Sequence, residues 1–244
     1  MTTVLLTGFE PFDGQPVNAS WAAVREVAAT WPGPVDAEAP AATPDAGRDP
    51  TPDAAPDAGR DATPDATTLV VRRLPVSFAR APRRLAELLA EHRPDLVVCV
   101  GEAGGRGRVS VERVAINVQD ARIPDEDGEQ PVDLPVVAGG PAAYFSSLPV
   151  KAALLAAREA GVPAEVSNTA GTFVCNAIAY ALADQLTRMP GARGGFVHVP
   201  RLPEQVAAGA PALDAARSAR GIAAVLDAAL RHRDDLVFAA GTES

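Results

Sequence analysis

The chain has 244 residues, 47% of them hydrophobic and 22% charged, the balance of a globular protein with room for one sizeable core. Its formal net charge of -9 argues against nucleic acid and against an anionic membrane surface as partners, since both call for clustered Lys and Arg. No apolar run approaches the length of a bilayer span, no secretory pattern precedes Val4, and two cysteines are too few for a disulfide framework, so the expectation is a cytoplasmic protein with free thiols.

In chain order, Val4 to Gly8 is a short apolar run ending in Gly, the pattern of a buried strand. Asn18 is a suitable N-cap for a helix running to about Trp31. From Asp36 to Thr68 the composition is almost entirely Ala, Pro, Asp, Thr, Gly and Arg. Pro44-Asp-Ala-Gly-Arg-Asp49 recurs there as Pro56-Asp-Ala-Gly-Arg-Asp61, and eight acidic residues face two basic ones. Such a stretch cannot bury enough apolar surface to offset its ordering entropy, and it reads as a disordered acidic insertion within a single domain. Leu69 to Val76 reads as a strand, Pro82 to His92 as an amphipathic helix stopped by Pro94, and Leu96 to Val100 as a continuous apolar strand ending at Gly101.

Val109 to Val118 alternates in part, as a strand or hairpin would. Val150 to Ala160 is a helix ended by Gly161, and Ala164 to Ser167 a short strand. Val174 to Met189 is a helix, Gly195 to Val199 a buried strand, and Leu213 to His232 a long terminal helix. Strands separated by helices of this length specify an α/β fold: one open, twisted, mainly parallel sheet with helices on both faces. Sites in such folds lie outside the carboxyl ends of the strands.

That placement sorts the reactive side chains. His92 and His232 end helices beside charged residues and read as solvated cations there. His198 lies near the carboxyl end of a buried strand, where an imidazole must be satisfied or used. Cys99 sits between apolar neighbours and reads as an inert core residue. Cys175 follows the loop Ser167 to Phe173 and falls in the first turn of a helix. The positive end of the helix dipole should lower its pKa there, and free N–H groups of the same turn could receive an oxyanion. A thiol beside an imidazole is a nucleophile with its base, and a third group must hold the imidazole tautomer. Glu112 is a candidate for that third group, and equally an ion-pair partner of Arg113 or an exposed side chain. Neither Cys-x-x-Cys nor His-x-x-x-His is present, so no metal is assigned. Gly101 to Gly107 lacks the spacing of a nucleotide loop, and no cofactor is assigned either.

Five segments, in this order, resemble the pyrrolidone-carboxylate (pyroglutamyl) peptidase type I family of cysteine peptidases. They are Leu5-Leu-Thr-Gly-Phe-Glu-Pro-Phe12; Gly101-Glu-Ala-Gly-Gly-Arg106; Glu112-Arg-Val-Ala-Ile-Asn117 with Ala121-Arg-Ile-Pro-Asp125; Ser167-Asn-Thr-Ala-Gly-Thr-Phe-Val-Cys-Asn176; and Gly195-Phe-Val-His-Val-Pro200. The resemblance implies a phosphorylase/hydrolase-like α/β fold and a Cys-His-Glu triad falling on Cys175, His198 and Glu112. It implies hydrolysis of N-terminal pyroglutamyl residues through an acyl-enzyme, without a cofactor, by a homo-oligomer. It also implies a substrate pocket with Phe9 and Phe12 against the flat lactam, Glu102 at a position where many relatives carry Gln, and Arg122 near the oxyanion. An apolar slot suits a neutral lactam and rejects an ordinary N-terminus, whose ammonium is costly to desolvate. Two other classes fit the same residues: a thiol amidohydrolase of another small cyclic or acyl amide, and a non-enzymatic scaffold whose interaction element is the acidic insertion.

Overall fold

A computed structural model describes residues 1–38 and 67–241 of the chain. Nine strands and five helices alternate through it. The strands are β1 (Thr3–Phe9), β2 (Val35–Ala37), β3 (Thr68–Leu74), β4 (Leu96–Ala103), β5 (Val109–Glu112), β6 (Val114–Ile116), β7 (Ala143–Phe145), β8 (Ala164–Ser167) and β9 (Arg193–Pro200). The helices are α1 (Ala19–Thr30), α2 (Arg80–His92), α3 (Val150–Glu159), α4 (Val174–Leu186) and α5 (Ala215–Arg231). Seven strands form one sheet in the order β2-β3-β1-β4-β9-β5-β8. The pairs from β2 to β9 are parallel, β5 runs against β9, and β8 runs parallel to β5. The sheet is thus mainly parallel, as expected, with a reversed pair at one edge.

The continuous apolar runs follow from burial on both faces. In β1, Val4 and Leu6 join the core under α1, α3 and α5, whereas Leu5 and Phe9 join the core under α2 and α4. The same alternation sends Val98 and Val100 of β4 to the first face and Val97 and Cys99 to the second. In β9 it sends Val197 and Val199 to the first face and Phe196 to the second, so His198 points to the α4 side as well. Helix ends obey local chemistry. Asn18 caps α1 by accepting from Ser20 N, Arg93 takes a left-handed conformation (φ 43°) before Pro94, and Gly161 (φ 74°) closes α3.

Three expectations need correction. The acidic segment was bounded at Asp36 and Thr68, yet Asp36 and Ala37 pair with Val70 and Val71, and Thr68 pairs with Thr3. The sheet continues into that segment from both ends, because Asp36 finds Arg72 at 2.9 Å and so tolerates an edge strand. The rest of the proposed disordered insertion, 39–66, lies outside the described residues. The Val109 to Val118 stretch is no hairpin: β5 belongs to the main sheet, and β6 pairs with β7 in a separate two-stranded sheet. His92 is largely buried instead of solvated, and its Nε2 makes no hydrogen bond among the described residues, with Glu91 Oε1 at 3.6 Å. Among the described residues, no helix is long and apolar enough to cross a membrane.

Candidate active site

The strand register places the candidate residues. Gly101 of β4 pairs with His198 of β9, and Ser110 of β5 pairs with His198 from the other side. Cys175 stands at the start of α4, and its sulfur occupies the space over Gly101. A Cβ on Gly101 would meet Cys175 Sγ at 2.9 Å and Phe196 Cζ at 2.8 Å. The missing side chain at Gly101 therefore lets the sulfur settle against the sheet beside His198, on the face to which the imidazole points. The carboxyl-end rule reaches this site only in part. His198 and Gly101 obey it, but β8 runs the other way, and the loop Asn168–Phe173 has to carry the chain back to the site.

That loop is firmly tied. Asp120 N donates to Thr172 O at 3.0 Å, and Thr172 Oγ1 donates to Asp120 O at 2.7 Å. Just after Cys175, buried Asn176 donates from Nδ2 to Ile116 O and Val118 O, both at 2.9 Å, and accepts from Ile116 N at 3.0 Å. Its amide locks the first turn of α4 to β6. No side chain caps α4, which leaves the N–H groups of its first turn open toward the site.

His198 and Glu112 form a buried pair. His198 Nδ1 lies 2.7 Å from Glu112 Oε1, and Glu112 is only 2% exposed. Burial works to raise the Glu112 carboxyl, but the hydrogen bond and charge of His198, with the Ser167 hydroxyl and the Arg106 guanidinium, hold it below the ordinary value. An ionised carboxylate only accepts, so His198 Nδ1 carries the proton that joins the two. The two open readings of Glu112 fail: it is not exposed, and its cationic partner is Arg106 (Nη1 at 2.7 Å), not Arg113. The expected lowering of the Cys175 pKa is also overturned. Burial, then the carboxylate of Glu112, push the thiol up to about 12, with Glu102 adding to the effect and Arg106 opposing it. The carboxylates of Glu112 and Glu102, supplied by strands far away in sequence, oppose the helix dipole.

In front of Cys175 opens a cavity of about 310 Å³, within the usual range for a small-molecule pocket. Phe9, Phe12, Glu102, Arg122 and Cys175 all line it. Phe12 stacks at 5.6 Å on Phe173, which meets Phe78 edge-on at 5.2 Å. Phe9 is nearly fully buried and packs on Phe196, so it serves the core and the pocket wall together. Phe173, two positions before Cys175, also lines the cavity and is missing from the expected pocket residues. Arg122 is exposed at the cavity edge.

The Glu102 carboxylate is also bound within the protein. Its Oε2 accepts from Ala19 N at 2.8 Å and Gln205 Nε2 at 3.0 Å, and its Oε1 accepts from Arg201 Nε at 3.0 Å. The carboxylate caps the N-terminal end of α1 and joins it to the chain after β9, so it shapes the cavity wall through the backbone it holds.

Comparison with known proteins agrees with this geometry. A model of the pyroglutamyl peptidase family matches residues 48–232. Pyrrolidone-carboxylate peptidase of Streptomyces coelicolor is 50% identical over 95% of this chain and 93% of its own length. The protein of the same name from Clavibacter michiganensis is 46% identical over 99% of each chain. Among solved structures, pyroglutamyl peptidase I of Bacillus amyloliquefaciens superposes with a TM-score of 0.80 at 38% identity, over 97% of this chain and 100% of that one. A variant pyrrolidone carboxyl peptidase of Pyrococcus furiosus gives 0.77 at 30% identity, over 94% and 99%. A thiol, an imidazole and a buried carboxylate gathered on one sheet face, in a chain so closely matched along its length, lead to one assignment: this chain belongs to the pyroglutamyl peptidase family.

Proposed function

We propose that the chain is a cysteine exopeptidase that removes N-terminal pyroglutamyl residues from peptides, with Cys175 as nucleophile, His198 as base and acid, and Glu112 as the orienting carboxylate. The observation that carries this reading is the buried 2.7 Å contact between His198 Nδ1 and Glu112 Oε1, on the sheet face where Cys175 Sγ fills the space over Gly101.

The lactam lies in the cavity against the Phe12 and Phe173 rings, with the exocyclic pyroglutamyl carbonyl, the one bonded to the leaving amine, presented to Cys175. The resting thiol is neutral, so its proton passes to His198 Nε2 as the sulfur attacks. The imidazolium that forms is stabilised by Glu112. The open N–H groups at the start of α4, with Arg122 at the cavity edge, receive the oxyanion. His198 then protonates the leaving amine, and the shortened peptide departs. Water, deprotonated by the same imidazole, attacks the thioester carbonyl, and the proton returns to the sulfur as pyroglutamate leaves. No step calls on a metal or an organic cofactor.

The test is release of a fluorophore from a pyroglutamyl amide, compared with prolyl and alanyl amides. Turnover confined to the pyroglutamyl amide, lost in Cys175→Ser and blocked by a thiol alkylator, is the expected result. Faster turnover of another amide would assign the site to a different amidohydrolase. We also assign the chain to the cytoplasm, where its two free thiols stay reduced, and to a homo-oligomer. The exposed apolar side chains Val132, Leu134 and Phe145 support self-association, which sedimentation velocity would measure directly.

A further inference from the structure

Arg106 sits on the glycine-rich turn after β4 and has no role in the reaction described so far. Its guanidinium is engaged at two points. Nη1 donates to Glu112 Oε1 at 2.7 Å, and Nη2 donates to Thr169 O at 3.0 Å. The first partner is the carboxylate that orients His198. The second is a carbonyl of the loop that delivers Cys175 to α4, and that carbonyl also accepts from Ser167 Oγ at 3.1 Å. Glu112 Oε1 thus receives two donors, His198 Nδ1 and Arg106 Nη1, while Glu112 Oε2 has no hydrogen-bond partner among the described residues.

We infer that Arg106 is a positioning residue that clamps the orienting carboxylate and the nucleophile loop in one rigid fork, and that its charge limits the basicity of His198. The inference rests on the proposed triad of Cys175, His198 and Glu112. Two physical consequences carry it. A planar guanidinium fixes both partners at once, which a point charge on a flexible stem cannot do. Glu112 is 2% exposed and Arg106 is one-quarter exposed at its side chain, so this is not a solvated surface pair of negligible worth. The charged and titratable groups placed around His198 come from three elements: Glu112 on β5, Arg106 on the turn after β4, and Cys175 at the start of α4. Arg106 is the cation among these named groups. Its loss leaves Glu112 wholly to the imidazolium, and the imidazolium is then harder to deprotonate.

The experiment compares Arg106→Ala, Arg106→Lys, Glu112→Gln and the double variant Arg106→Ala/Glu112→Gln, each as full-length folded chain, on a pyroglutamyl amide across pH. Arg106→Ala is expected to lose roughly 10- to 100-fold in kcat, the scale of a misplaced catalytic group, with KM nearly unchanged. The acid limb of its kcat/KM profile should move up by about one pH unit, because a cation near the imidazolium has been removed. Added guanidinium should restore part of the rate. Arg106→Ala should cost less in the Glu112→Gln background than in wild type, because only the tie to Thr169 O is then left to lose. Arg106→Lys, which keeps the charge and loses the fork, should keep the acid limb in place and still lose kcat, and it serves if the alanine variant fails to fold. Wild-type kcat in Arg106→Lys, or an Arg106→Ala defect with no pH shift and no rescue, would overturn the inference. A Glu112→Gln variant at full activity would instead remove the triad reading on which it rests.

Discussion

Cys99 and Cys175 are both pushed up to about 12, in each case first by burial, so a resting thiolate does not set one apart from the other. What differs is the surroundings. Cys99 sits in the core opposite Thr7, whereas Cys175 is half-buried, opens onto the cavity and shares its sheet face with His198. With a neutral thiol at rest, the proposed reaction proceeds by proton transfer during attack, not from a standing thiolate–imidazolium pair. In free enzyme, iodoacetamide should modify Cys175 alone, and the rate should climb by about tenfold per pH unit toward pH 9 with no plateau near neutrality. A plateau below pH 7 would mean that the ion pair exists at rest. Cys99→Ser should disturb packing at most, and Cys175→Ser should abolish turnover. Cys175 and His198 stand out in the sequence as candidates because each interrupts the end of an apolar pattern with one reactive side chain. The direction of the thiol pKa was not legible there, since Glu112 and Glu102 reach Cys175 only through the tertiary fold. Arg106 was invisible for the same reason: an arginine in a glycine-rich turn has the composition of any solvated loop.

At the scale of elements, the site depends on how closely α4 approaches β4 and β9. Gly101→Ala inserts a Cβ at 2.8 to 2.9 Å from Phe196 Cζ and Cys175 Sγ, contacts that force one of them to move. Such overpacking costs about 1–3 kcal/mol, and displacement of the sulfur by a fraction of an ångström should lower kcat/KM roughly 100-fold. A variant with unchanged kinetics would show that the sulfur has slack in this position. Most elements could be read from the apolar period, because β1, β4 and β9 are buried on both faces and α2 carries Leu85, Leu88 and Leu89 on one side. The short strands were harder. β2 and β7 have three residues each and expose most of them, which leaves no apolar signature, and nothing local distinguishes a strand that runs against its neighbour. The edge around β2 also bears on the scaffold alternative. Ala37 pairs with Val71 while the described chain resumes at Thr67, so Glu38 and Thr67 are separated by roughly 17 Å at about 3.3 Å per strand residue. Replacing 39–66 by a flexible linker of about eight residues spans that gap and should leave kcat/KM within about threefold, since loop length has little thermodynamic weight. Loss of turnover in a folded protein would assign the acidic segment a part in the site.

The whole molecule carries a consequence of burying so many weak acids. Cys99 and Cys175 lie at about 12 against an ordinary thiol value of 9.0. Tyr180 and Tyr144 are also raised, foremost by burial, and Tyr180 donates its hydroxyl to Pro141 O at 2.6 Å. All four groups favour the protonated form in the folded state. Between the unfolded and folded values the native protein holds more protons than the unfolded chain, so stability falls as pH rises. Their contribution is fully present below about pH 9 and is lost progressively toward pH 12. The melting temperature should therefore be level near neutrality and drop steadily above pH 9. Cys99→Ala removes one of these groups and leaves a small cavity, which makes it less stable than wild type at pH 7. Its deficit should shrink at pH 10.5, because it no longer has a buried thiol to deprotonate. Calorimetric scans of both proteins from pH 7 to pH 10.5 measure this, and parallel curves would show that Cys99 loses no more by ionising in the fold than in the unfolded chain.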